Sequence, residues 1–223
     1  IGKINFSFYI EEINISKLKS LNNISKNQRY NVDGTPTDTF KKVLDDIYSN
    51  GKKIYIGNFN LTDGTDKEKY FDSDICYNLF DLLDEYYDYW SKISYVVVEK
   101  QMAFGKKINT MALKLGQSCH SYFMINFGRE IKVIEFPAYY KTLVLGAPQE
   151  KTTLKSGKIK YKTLGDRERK KWAVQEAFGI LSLREDVETM SHIGSLKKKD
   201  DVSDVICQLQ AFKYLFFIEK MNF

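Results

Sequence analysis

Three consecutive valines, Val96-Val97-Val98, stand between Ser94-Tyr95 and Glu99-Lys100-Gln101. A short β-branched run bounded by polar residues reads as a buried parallel strand. A strand of that kind needs both faces covered, which places the chain in the α/β class. Glu99 stands at the C-terminal end of the run, the edge at which open α/β sheets build their sites. Taken alone, Glu99 reads equally as a solvated strand end.

A second set of carboxylates opens what reads as the last long helix. Val202, Val205, Ile206, Leu209, Phe212 and Phe216 follow the 3-4 spacing of one helical face. Asp201 and Asp204 are three apart and so are neighbours at the edge of that face. Adjacent carboxylates repel unless a positive charge lies between them, and a divalent metal is a common reason for the arrangement. Capping and the helix dipole offer an alternative, since acids suit a first turn. Asp200 reads best as a cap. Glu99, Asp201 and Asp204 together suggest two-metal phosphodiester chemistry.

Val97-Val98-Glu99-Lys100-Gln101 followed by Lys199-Asp200-Asp201-Val202-Ser203-Asp204 resembles the RuvC-type Holliday-junction resolvases, in the branch carried by poxviruses and other large cytoplasmic DNA viruses. The resemblance implies a ribonuclease H-like fold. It has a mixed five-stranded central sheet flanked by helices, in one domain with an insertion at about residues 11–50. It also implies four acidic residues, three of which match Glu99, Asp201 and Asp204. Aligned on Gly2 and Asn5, the fourth falls immediately before Ile1, so the first strand is expected to be truncated. The implied activity is cleavage of four-way DNA junctions by a symmetric dimer, one site on each of two paired strands. Two Mg²⁺ ions about 3.5–4 Å apart would activate water and stabilise the leaving oxygen. Hard oxygen ligands favour Mg²⁺ or Mn²⁺ over zinc.

Charge is unevenly spread. The net charge is only +5, but residues 151–171 hold nine basic and two acidic side chains, and residues 62–90 hold nine acidic and two basic. One basic and one acidic face suit a nucleic-acid binder, although solvated surface explains the acidic stretch as well. Arg167, Lys170 and Lys171 are the best phosphate contacts. Lys100, Phe104, Lys106 and Lys107 follow Glu99 directly, where a nuclease loop would meet phosphates and wedge near the branch point. Lys141, beside Tyr139 and Tyr140, is a further DNA candidate. Glu135, at another strand end, is a reserve candidate for the acidic site.

The rest of the chain supplies a scaffold. Ile4, Phe6, Phe8 and Ile10 alternate with polar residues as a half-buried strand. Residues 11–37 read as an insertion or long loop. A helix is expected over about 37–48, and a strand over 54–61. Asp74 is expected to cap an aromatic helix, and another long helix carries Ala112, Leu115 and Cys119 on its inner face; the resemblance implies that this helix helps form the dimer. Residues 146–165 read as a flexible basic loop, followed by a helix whose inner face has Trp172, Val174, Ala177 and Phe178. Asp63-Gly64-Thr65-Asp66 resembles a calcium loop only superficially, because later ligands do not follow.

Several classes are disfavoured. Two histidines without a motif argue against a histidine-rich metal site or a hydrolase triad. Cys76, Cys119 and Cys207 are odd in number and far apart, which suits reduced residues in an intracellular protein. With the resemblance, this implies cytoplasmic sites of viral replication. No apolar run approaches a membrane span. Two rival readings stay open: another nuclease of the same fold, acting on RNA–DNA hybrids or branched DNA, and a non-catalytic DNA-binding scaffold.

Overall fold

The computed structural model describes residues 2–62, 73–101, 108–154 and 156–223. It is a mixed α/β structure, and the chain divides into two compact units. One comprises Ile1–Ser7, Asn58–Ala138 and Phe223; the other comprises Phe8–Gly57 and Tyr139–Asn222.

The first unit is built on the valine run. β3 (Tyr95–Lys100) pairs in parallel with β4 (Lys132–Pro137), in a register that sets Val98 opposite Glu135 and Glu99 opposite Phe136. Parallel neighbours need a long connection, and α5 (Thr110–Phe127) supplies it. Asn109 caps that helix by accepting from Ala112 N–H at 3.1 Å. Its inner face carries Ala112, Leu115, Cys119, Tyr122 and Phe123, as the periodicity requires. α3 (Ser73–Glu85) and the short α4 (Tyr87–Trp90) add an aromatic cluster: Trp90 meets Phe123 edge-on with ring centroids 5.4 Å apart, and its indole N–H donates to Leu83 C=O at 2.7 Å.

The second unit is centred on α9 (Asp200–Lys213), which runs on into a π-helical turn, Tyr214–Ile218. Around it stand α1 (Ile15–Ser20), α2 (Asp38–Ser49), α6 (Tyr139–Leu145), α7 (Asp166–Leu183) and α8 (Val187–Ser195). Most of β1 (Phe6–Glu12) and β2 (Lys52–Phe59), which pair with each other, also belongs here. α7 lies against α9 through Ala173, Ala177, Ile180 and Leu181. Of the inner face read off the sequence, Ala177 is buried, but Trp172, Val174 and Phe178 are only half-buried. Ala173 lets the Cys207 thiol approach its carbonyl to 3.5 Å.

Other differences from the sequence reading are physical. The described strands pair as three two-stranded sheets rather than one five-stranded sheet, and only Val98 of β3 is fully buried. Residues 146–165 are not a loop: β5 (Gln149–Thr153) and β6 (Ile159–Thr163) form an antiparallel hairpin. Within residues 11–50, Leu18, Phe40, Leu44 and Ile47 are core residues of the second unit. All three cysteines are free, and Cys119 and Cys207 are buried.

The most consequential residue of that stretch is Glu11, whose side chain is fully buried with that of Lys213. The Lys213 ammonium donates to Glu11 Oε1 at 2.6 Å, Gln210 Oε1 at 2.7 Å and Asn50 C=O at 2.9 Å. Arg184 spends its five N–H donors on Tyr48 C=O, the Tyr9 hydroxyl, both Glu11 oxygens and Gln210. Gln210 Nε2 donates to Glu11 Oε2 at 3.0 Å. Gly51 makes room for the cluster, because a Cβ there would overlap Glu11 Oε1. Burial pulls the Lys213 pKa down to about 8, against the attraction of Glu11.

Removing one partner of a buried ion pair costs about 3–5 kcal/mol. Glu11→Ala, which strands two cations, is therefore expected to lower unfolding free energy by about that amount in urea titration. The pH dependence has a definite sign. Unfolded lysine keeps its proton to about pH 10.4, whereas folded Lys213 releases it near 8. The unfolded state thus binds more protons between those values, and stability contributed through Lys213 rises with pH. Burial raises the Cys119 and Cys207 thiols and opposes this trend, so the comparison is with Lys213→Met, in which they are unchanged. The parent is expected to gain stability relative to that variant between about pH 7.5 and 9.5; a constant difference would contradict the depressed pKa.

Candidate functional site

α9 begins without a side-chain cap. Lys199 holds the N-cap position, and its carbonyl accepts from the Ser203 N–H at 3.1 Å and the Ser203 hydroxyl at 2.8 Å. Asp200 and Asp201 lie in the first turn and Asp204 one turn on, where the helix dipole favours anions. The sequence pattern gives this helix one apolar face, but Ser203, Gln208, Gln210 and Lys213 are buried too, so the acids emerge from a helix enclosed on most sides.

Each acid holds a lysine from a different segment. Lys170 of α7 sits 3.0 Å from Asp200 Oδ2, Lys198 sits 2.6 Å from Asp201 Oδ2, and Lys141 of α6 sits 2.6 Å from Asp204 Oδ2. Asp200 is therefore no cap but one arm of a bridge to α7. Burial raises its pKa, but the Lys170 hydrogen bond and the Lys198 charge outweigh it and hold the carboxyl below its ordinary value. The same hydrogen bond raises Lys170, against a smaller effect of burial. Asp201 Oδ2 is buried, and the Lys198 ammonium beside it lies off the line of a hydrogen bond. Repulsion among the acids is thus offset by three ammonium groups.

This donor set fits a hard divalent cation in chemistry: carboxylate oxygens, one of them buried without an aligned donor, in a cluster that already collects positive charge. Each of the three carboxylates is paired with its own lysine ammonium. Among the described residues, no three His, Cys, Asp or Glu side chains converge as a metal site.

Glu99 lies in the first unit, one residue before the end of β3. Strand alternation and the parallel register put it on the face that carries Val97, Ile134 and Phe136. Glu135 belongs to the opposite face. There it lies 3.8 Å from the Lys100 ammonium and 3.9 Å from His120 Nε2, whose pKa burial lowers against the pull of Glu135. The reserve candidate and the principal one are thus separated by the sheet. Lys100 is 57% exposed.

The remaining nucleic-acid candidates divide. Arg167 and Lys171 are exposed on the first turns of α7, and Lys170 is tied to Asp200. Lys141 does not reach outward: its side chain is 7% exposed, because it falls three and four residues before Val144 and Leu145 on the inner face of α6. Phe104, Lys106, Lys107 and the Asp63-Gly64-Thr65-Asp66 turn lie outside the described residues.

Lys141→Met removes an ion-pair partner of Asp204, whose side chain is 33% exposed, and is expected to cost about 1 kcal/mol or less in a urea titration, the range for an ion pair that water can reach. An unchanged midpoint would mean the pair contributes nothing to stability.

Comparison with known proteins yields viral relatives. The "Uncharacterized protein 170L" of Invertebrate iridescent virus 6 is 32% identical over 240 residues, taking in 99% of this chain and 89% of that protein. The "Uncharacterized protein 97L" of Invertebrate iridescent virus 3 is 31% identical over 140 residues, 63% of this chain and 58% of that protein. No family model matches, and no solved structure matches. Among the described residues, no helix is long and apolar enough to cross a membrane. Identity at that level over nearly the whole chain shows that it belongs to the family of the iridescent virus protein 170L.

Proposed function

We propose that this protein is a metal-dependent endonuclease of ribonuclease H-like fold that resolves four-way DNA junctions as a homodimer. The observation that carries the reading is the cluster at the start of α9, where Asp200, Asp201 and Asp204 are each held by a lysine from a separate segment. A helix that needs only a cap has no use for three carboxylates in its first two turns, each paired with an ammonium group. The resemblance to junction resolvases and the viral origin of the relatives support the same reading.

Asp201 and Asp204 would hold Mg²⁺; the resemblance also names Glu99, on β3 of the first unit. When bound, the metal ions supply Lewis-acid activation of water and charge stabilisation at the leaving oxygen. Lys141, its stem buried in α6, keeps an ammonium group beside Asp204 and can neutralise a phosphate brought to that carboxylate. Lys170 and Lys198 hold Asp200 and Asp201 in place before substrate arrives. Arg167 and Lys171 offer exposed charge to the DNA backbone.

The scaffold reading is favoured by one fact: the Lys141–Asp204 pair, at 2.6 Å, satisfies the carboxylate without a metal. A single assay separates the possibilities. The full-length protein is incubated with Mg²⁺ and a labelled four-way junction, and in parallel with an RNA–DNA hybrid duplex. Paired symmetric nicks in the junction are expected, and both Glu99→Gln and Asp204→Asn should abolish them. Preferential hybrid cleavage would indicate another nuclease of this fold, and binding without cleavage a scaffold. Cleavage that survives both substitutions would move the metal site elsewhere.

A further inference from the structure

The β5–β6 hairpin is an element that the core does not require. Its register pairs Glu150 with Lys162, Lys151 with Tyr161, Thr152 with Lys160 and Thr153 with Ile159. Among the described residues of this hairpin none is buried, and only Gln149 and Tyr161 are even half-buried. An isolated two-stranded ribbon is marginally stable at best and gains independence only by packing an apolar face. This one has no such face. It is held at its base, where Gln149 N–H donates to Asp33 C=O at 2.6 Å beside Gly34. Near its tip, Leu154 N–H donates to Lys158 C=O at 2.8 Å and Gly157, with φ +77°, takes the chain through the turn.

What the ribbon presents is charge. Alternation places Lys160 and Lys162 on one face about 7 Å apart, with Glu150 opposite Lys162, and Lys158 immediately precedes the strand. Lys151 stands on the other face with Tyr161 and Ile159. Glu150 is the one acid in the two strands. The exposed apolar residues, Leu154 and Ile159, are near the tip but on opposite faces. A ribbon that lies on a membrane needs its apolar residues on one face and its lysines on the other. A ribbon that enters a groove of duplex DNA meets a phosphate wall on either side, and the major groove is wide enough to admit two strands.

We propose that the β5–β6 hairpin is a duplex-DNA-binding arm. Lys158, Lys160 and Lys162 contact successive phosphates, and Lys151 contacts the opposite wall of the groove. This rests on the reading of the protein as one that acts on DNA, but not on its cutting DNA. From the arm the chain runs through Leu164 and Gly165 directly into α7, whose Lys170 touches Asp200, so a duplex held by the arm continues toward the acids of α9.

The test is the salt dependence of binding, measured by fluorescence anisotropy without divalent metal. Linear duplex and a four-way junction are compared for the parent and for the triple variant Lys158→Gln, Lys160→Gln, Lys162→Gln. Each phosphate contact contributes about 0.9 to the slope of log K against log salt, so the slope should fall by about three in the variant. These side chains are exposed, and an unchanged circular dichroism melt verifies the fold. An unchanged slope overturns the proposal, as does failure of the parent to bind duplex. Loss of binding to phosphatidylserine vesicles, with DNA binding intact, overturns it in favour of a membrane surface. Nicking is scored separately with Mg²⁺. Nicking with an unchanged slope removes the arm and leaves the nuclease, whereas a reduced slope without nicking removes the nuclease and leaves the arm.

Discussion

The second unit depends on one buried carboxylate. Glu11 accepts from Arg184, Lys213 and Gln210. The strand β1, the end of α7 and the last turn of α9 therefore converge on a single anion. A buried charge is tolerated only when fully paired and hydrogen-bonded, and here all three ammonium donors and all five guanidinium donors find acceptors. Burial of the Lys213 ammonium lowers its pKa against the pull of Glu11, and the neighbouring Arg184 charge adds to the lowering. The cluster fixes the far end of α9, and the helix carries that constraint to its first turn, where the acids stand.

A similar economy of charge governs that first turn, with exposure making the difference. The carboxylates of Asp200, Asp201 and Asp204 are each between 15% and 33% exposed, and their lysines come from the surface as well as the interior. Water and mobile ions can reach them, so the lysines are exchangeable partners in a way that Arg184 and Lys213 are not. One end of α9 is thus electrostatically closed and the other open to substitution of one cation by another.

Where local pattern decides, the sequence was readable. The helix expected over about 37–48 is α2, and the valine run is a strand of a parallel pair with residues 132–137. The misses have a common cause. Glu11, Lys141 and Lys213 are charged residues that look like surface until their partners, 202 residues apart for Glu11 and Lys213, are known. On α7 the sequence reading placed Ala177 correctly but set the large Trp172, Val174 and Phe178 beside it, whereas Ala173, Ile180 and Leu181 complete the buried face. The hairpin was hidden because lysine and threonine alternate there without an apolar face to mark a strand. At the candidate site the pair Asp201 and Asp204 was visible from spacing. The lysines that complete it were not, since ion pairs between helices leave no periodicity.

The division of the chain has a consequence for its synthesis. The second unit is made from residues 8–57 and 139–222, with most of the first unit lying between them in sequence. Glu11 emerges early from the ribosome, but Lys213 follows 202 residues later. At about 5–20 residues per second that is a wait of about 10–40 s. Throughout this interval α2 and β1 have no α9 to close over, and the Glu11 carboxylate must stay in water. Residues 58–138 of the first unit, whose strands and helices lie close together in sequence, are all available to pack on one another during that wait.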